Sequence, residues 1–248
     1  MTRRPRNSPY SNRMIISLTG FMGCGKSSVG KTLSALLGCP FTDLDAAIVE
    51  RIGCTIPEYF ALHGEAAFRA LESDVLSATL SGYTLTGDSL SGDSLSGDSL
   101  SGHTLPHLAP ENEGKCRSTR EGASDGMLSA ISAVLALGGG TVMTPDCAEQ
   151  VHTQTCCIYL RASLDTLVER LRNEAAGRPM LRTRTPDPGT KPNPGSRPAP
   201  ADADIALRER ISHLLAQRSA TYESVAHHII DVDGLSIEDV ARTILSSL

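Results

Sequence analysis

An apolar run, Met14 to Leu18, breaks at once into TGFMGCGKSS and then into SVGKTLSALLG, whose apolar residues recur at helical spacing and stop at Gly38. Gly20, Gly25, Lys26 and Ser27 fit G-x-x-x-x-G-K-[ST], the pattern of a loop that wraps phosphate between a strand and a helix. Gly20 and Gly25 allow backbone angles that a side chain would forbid, so that N–H groups turn inward, and the helix behind them adds its positive end. Gly23, Cys24, Gly25, Lys26, Ser27 and Ser28 are therefore the candidate nucleotide contacts. Lys26 reaches the β- and γ-phosphates, and the Ser27 hydroxyl is a ligand for Mg2+.

The same alternation runs along the rest of the chain. Cys39 to Thr42 reads as a short strand leading into Asp43 and Asp45, followed by the helical AAIVERIG and IPEYFALHGEAAFRALESDVLSATL. Further strands are expected at Ala133 to Thr141, Thr155 to Arg161 and His228 to Asp233, the last before a closing helix, SIEDVARTILSSL. Strands alternating with helices predict an α/β, three-layer fold: a central, roughly five-stranded parallel sheet with helices on both faces. Its ligands would lie outside the carboxyl ends of the strands.

Two stretches break the pattern. Leucine recurs at every fifth position from Leu80 to Leu105, in units such as SGDSL, a period that suits neither helix nor strand. A short stacked coil and a low-complexity loop both remain open for it, the loop reading extending over about 81–126. The second, TRTPDPGTKPNPGSRPAPADAD, carries prolines at 186, 188, 192, 194, 198 and 200, which exclude helix and central strand and predict an extended loop over about 183–203. Residues 1–13, with Arg3, Arg4, Arg6 and Arg13 and no acid, read as a flexible basic tail, too short and Pro-broken for a transit peptide. Removing the two insertions leaves roughly 180 residues, one domain's worth, over 14–248.

Composition narrows the partners. A net charge of −5 gives no footprint for nucleic acid, and no apolar run nears the ~18 residues of a membrane span. The seven cysteines form no C-x-x-C pair and accompany no secretory signal, so reduced thiols and a cytoplasmic location are expected. Cys24 is either a reactive thiol at a helix N-terminus or a small filler of the loop.

A switch or an ATPase needs a group that positions water, whereas a small-molecule kinase needs a second pocket that holds an acceptor hydroxyl in line with the γ-phosphate. Asp43 and Asp45, two apart at a strand end, suit such a pocket, one helping to hold the metal and the other accepting from the hydroxyl; solvated loop aspartates are the alternative. Arg69 and Arg218 are either exposed ion-pair arginines or ligand contacts. Gly138, Gly139 and Gly140 offer bare backbone to a ligand or make a plain turn.

Taken in order, GFMGCGKSSVGKTLS, FTDLDAAIVERIG, IPEYFALHGEAAFRALE, LALGGGTV, GRPML and QRSATYESVA resemble shikimate kinase over nearly the whole chain outside the insertions. The resemblance implies a P-loop fold with a five-stranded parallel sheet and transfer of the ATP γ-phosphate to the 3-hydroxyl of shikimate, on the route to chorismate. It implies that Asp45 contacts the substrate hydroxyls and serves as base, and that Asp43 organises Mg2+. Arg69 and Arg218 would clamp the substrate carboxylate, Gly138, Gly139 and Gly140 would line its site, and Arg178 would be a lid arginine over the phosphates. Arg172 and the stretch Asp231 to Gly234 would border the adenine. The Pro-rich insertion follows Arg178 directly and would enlarge that lid. A monomer is expected. A related kinase of another polyol, such as gluconate, and a non-catalytic nucleotide-binding protein are the alternative readings; the first gives no reason for Arg69, Arg218 and the three glycines together, and the second would be marked by loss of Asp45, Arg69 or Arg218, all of which are present.

Overall fold

The computed structural model describes residues 14–85, 131–172 and 200–248. Five parallel strands form one sheet in the order β2-β3-β1-β4-β5: β1 (Met14–Thr19), β2 (Phe41–Asp43), β3 (Ile131–Ala136), β4 (Cys156–Arg161) and β5 (His228–Asp231). The central strand β1 pairs with β3 on one side and β4 on the other, Leu18 lying opposite Ala136 and Ile158. The chain fills one side of β1 through β2 and β3 and then crosses to the other. Its switch point, where such sheets bind ligands, therefore lies at the end of β1.

The helices are α1 (Lys26–Leu37), α2 (Leu44–Ile52), α3 (Ile56–Leu85), α4 (Pro145–Gln154), α5 (Leu164–Leu171), α6 (Pro200–Val225) and α7 (Ile237–Ser247), with a 3₁₀ turn at Thr141–Met143. Because they cover both faces, the inner strands read as continuous apolar runs: Ile16, Leu18, Val134, Leu135, Ile158 and Leu160 are fully buried. Burying polar Ser17 in β1 is made tolerable by a 2.7 Å hydrogen bond between its hydroxyl and that of Thr155. Gly30, inside α1, is there for space. A Cβ at that position would stand 2.4 Å from the Phe41 ring, so its absence lets edge strand β2 pack close to α1.

Several boundaries differ from the sequence reading: β3 is Ile131–Ala136 and β5 stops at Asp231, short of the expected Thr141 and Asp233, and three other differences bear on the site and the insertions. Phe41–Asp43, rather than Cys39 to Thr42, forms β2, so Asp43 ends the strand and caps α2 while Asp45 lies in the first turn of that helix. Helix α3 bends at Gly64 (φ 79°, ψ 177°) and runs on to Leu85, past the expected start of the leucine-repeat insertion. Leu80, the first leucine of the repeat, is a buried core residue, and Tyr83 pairs its hydroxyl with that of Thr42 in β2. The Pro-rich stretch ends in helix: α6 begins at Pro200, because a proline in a first helical turn lacks only an N–H that would have no helical partner. The basic tail, the rest of both insertions and Arg178 lie outside the described residues.

Candidate active site

The loop between β1 and α1 turns on Gly20 (φ 140°), Gly23 (φ 82°) and Gly25 (φ 101°), conformations that favour glycine. Gly20 also passes so close to β4 that a Cβ there would meet the Leu160 carbonyl at 2.6 Å. The buried Lys26 ammonium donates to the carbonyls of Gly20 (2.9 Å) and Phe21 (3.0 Å) and lies 3.8 Å from Cys24 Sγ. Cys24 itself is buried, which fits the filler reading of that thiol.

Ser27, one residue on, donates its hydroxyl to Asp43 Oδ2 at 2.5 Å. The other Asp43 oxygen accepts the backbone N–H groups of Asp45 (3.1 Å) and Ala46 (3.4 Å). This capping fixes the carboxylate against the phosphate loop, so a strand-to-helix turn, not a two-residue strand repeat, places the two aspartates. Ser27 and Asp43 make a pair of hard oxygen donors beside the loop. No cluster of three or more His, Cys, Asp or Glu that could hold a metal occurs among the described residues. The pair therefore fits Mg2+, which takes one or two protein oxygens and completes its shell with phosphate and water.

These residues border a cleft of about 520 Å³ lined by Gly23 to Val29, Asp43 and Asp45, with Val232 and Leu235 from the turn after β5 on its far side. Arg170 enters this cleft, and its guanidinium donates to the carbonyls of Gly23 (3.3 Å) and Cys24 (3.2 Å). Arg172, the residue expected there, instead pairs with Asp204 of α6 at 3.2 Å. The sequence did carry a signal for Arg170. Leu167, Val168 and Leu171 form the buried stripe of α5, and Leu171 packs where a Cβ on Gly23 would stand, 2.9 Å away. That packing brings the side chain next to Leu171 onto the loop.

A second cleft, of about 350 Å³, gathers Asp45, Arg69, Gly138, Gly139, Gly140 and Arg218, which the sequence had singled out separately, with apolar walls from Met22, Phe60 and Phe68. Arg69 is held by Glu72 at 2.8 Å and Glu65 at 3.3 Å. Glu72, 1% exposed, also accepts the Thr141 hydroxyl at 2.6 Å, so its buried charge has a charged and a neutral partner. Sequence reasoning missed Glu72. Its spacing of three from Arg69 on α3 was a signal, but burial was not visible.

The three glycines serve by leaving room. None has positive φ, yet a Cβ on Gly138 would meet Asp45 Oδ1 at 2.6 Å, and one on Gly140 would meet the Arg69 guanidinium at 2.8 Å. The Gly139 carbonyl accepts from Arg218 (3.3 Å) and from the Tyr222 hydroxyl, both on α6. Met22, Asp45 and Gly139 line both clefts. Two guanidinium groups, a carboxylate and an apolar wall suit a small carboxylated, hydroxylated ring, set against a loop that suits a polyphosphate.

The sequence matches the family model described as shikimate kinase over residues 22–86 and 109–248, passing over 87–108. It is 32% identical over 97% of its length to a shikimate kinase of Salinibacter ruber, spanning 86% of that protein. A shikimate kinase of Geobacter metallireducens is 30% identical, with 98% of this chain and 95% of that one covered. Among solved structures, shikimate kinase from Bacteroides thetaiotaomicron superposes with a TM-score of 0.62 at 25% identity, covering 95% of this chain and 99% of that one. Shikimate kinase from Acinetobacter baumannii in complex with shikimate shares the fold at a TM-score of 0.64 and 24% identity, over 96% and 94% of the two chains.

Proposed function

As the chain belongs to the shikimate kinase family, we propose that it transfers the γ-phosphate of ATP to the 3-hydroxyl of shikimate, giving shikimate 3-phosphate and ADP. One observation carries the reading. Met22, Asp45 and Gly139 are common to both clefts, so a nucleotide in one and a carboxylated polyol in the other meet across a single wall, as in-line transfer requires.

The substrate carboxylate is held by Arg69 and Arg218, whose planar forks match it. Asp45, beside Gly138, orients the acceptor hydroxyl and takes its proton as the hydroxyl oxygen bonds to the γ-phosphorus and the bond to the β–γ bridging oxygen breaks. Lys26 leaves its loop carbonyls for the phosphate oxygens and, with Arg170, meets the charge that spreads over them. Ser27 and Asp43 would hold Mg2+, which would supply further positive charge to the triphosphate. Arg178, whose GRPML context implies a lid role, is assigned to the phosphates on sequence alone. The working unit is taken to be a cytoplasmic monomer.

The test is ADP release from MgATP with and without shikimate, for the wild type, Lys26→Ala and Asp45→Asn. Shikimate-dependent turnover lost in both variants is expected. ATP binding with no response to shikimate would overturn the assignment and direct the search to other polyols.

A further inference from the structure

We propose that Tyr222 is a positioning residue for the acceptor site, acting through the Gly139 carbonyl to hold the Arg218 guanidinium where it can engage a carboxylate. The inference rests on the reading of the second cleft as the shikimate site.

The three-glycine loop has no side chains to fix it, and glycine is the residue with the most freedom to lose. Two of its carbonyls are held by the turn that follows: Gly138 accepts the Thr141 N–H at 3.2 Å, and Gly140 the Met143 N–H at 3.0 Å. The middle carbonyl, that of Gly139, turns to α6 and takes two donors one helical turn apart, Arg218 and Tyr222. The Arg218 bond is long, at 3.3 Å, and the phenol is the closer donor. Tyr222 is fully buried, its ring 5.2 Å from that of Tyr159 in β4. The hydroxyl is therefore carried on a rigid, packed stem. With it in place, the carbonyl depends little on Arg218, whose guanidinium also interacts with the phenol oxygen and lines the acceptor cleft. Without it, Arg218 becomes the one donor to that carbonyl among the described residues and is drawn toward it, away from a substrate carboxylate.

Tyr222→Phe removes the hydroxyl and keeps the ring. Expected are a KM for shikimate raised about five- to tenfold, the worth of one net hydrogen bond, a KM for ATP and a kcat within about twofold of wild type, and a circular dichroism spectrum unchanged. Because the effect runs through Arg218, Tyr222→Phe should add little in an Arg218→Lys background, where the planar fork is already gone. A wild-type KM for shikimate in Tyr222→Phe overturns the proposal. So does a fall in melting temperature and kcat with both KM values unchanged, which marks a purely structural role, and so does full additivity in the double variant. A wild-type protein without shikimate-dependent turnover overturns the functional reading, and this inference with it, before any variant is compared.

Discussion

Gly140→Ala separates room from backbone freedom at the acceptor site. The φ of Gly140 is −119°, which alanine adopts without strain, so the added methyl acts only through what it touches. It would lie 2.8 Å and 2.9 Å from the two terminal nitrogens of Arg69. Reaching the roughly 3.5 Å of comfortable contact moves the guanidinium by about 0.7 Å. Arg69 is tied to Glu72 and Glu65, so the shift stretches its anchors and misaims the fork. Misplacement by about 1 Å can cost on the order of 100-fold, and kcat/KM for shikimate should fall roughly 10- to 50-fold, with the KM for ATP within about twofold. The Arg69 side chain is one-fifth exposed and can yield, so the stability loss should stay near 1 kcal/mol. Gly38→Ala is the converse control. Nothing lies within 4 Å of its Cβ position, but φ is +66°, so it should cost about 1 kcal/mol of stability and leave both KM values alone. Steady-state kinetics with each substrate varied, beside urea melts, decide the matter. A Gly140→Ala enzyme with wild-type affinity for shikimate would refute the view that the glycines exist to admit Arg69.

Glu72→Gln leaves the shape but removes the charge that holds Arg69 at 2.8 Å. It should cost about 1–3 kcal/mol in urea denaturation and raise the KM for shikimate, with little change in that for ATP. His227 is expected to make stability pH-dependent. Burial first, then His152 and His228, lower its pKa below the usual value of 6.5, so above 6.5 both folded and unfolded chains carry it neutral and stability is complete. As pH falls through 6.5 the unfolded chain takes up the proton before the folded one, and stability declines; urea midpoints across pH 5 to 8 should show this, and His227→Gln should flatten the slope. Deleting residues 87–108 should leave turnover within several-fold, since closing a shorter loop changes its entropy only logarithmically. Extending the deletion back to Ser81 removes Tyr83, the partner of Thr42, and should lower the melting temperature measurably.

Periodicity made part of the fold legible: the inner strands were apolar runs and α1 and α7 carried helical patterns, whereas α6 has no clear apolar stripe, and the boundary errors lie where a capping side chain or a proline decides. Asp43 looked like the end of a strand and is also the cap of the next helix. Pro200 looked like loop and opens α6. At the site, motif spacing marked Lys26 and Ser27, whereas Asp45, Arg69 and Arg218, open between surface and ligand roles on their own context, were joined by the family resemblance and lie together along one cleft. What spacing does not encode is which residue faces which across the sheet. Arg170 lies in the last turn of α5 and Arg172 just past its end, and the packing of Leu171 on Gly23 turns the first, not the second, onto the loop. Glu72 and Tyr222 escaped for a related reason: the burial of Glu72 against Thr141 and the bond from Tyr222 to Gly139 arise only when distant segments meet.

The sheet order has a further consequence for how the protein comes into being. The nucleotide cleft opens at the loop that follows β1, yet its far wall is Val232, Leu235 and Val240, and α1 packs against α7. Segments far apart in sequence thus close one pocket. The pocket is therefore complete only when the segment after β5 has docked beside the phosphate loop, and partial unfolding of α7 would open it.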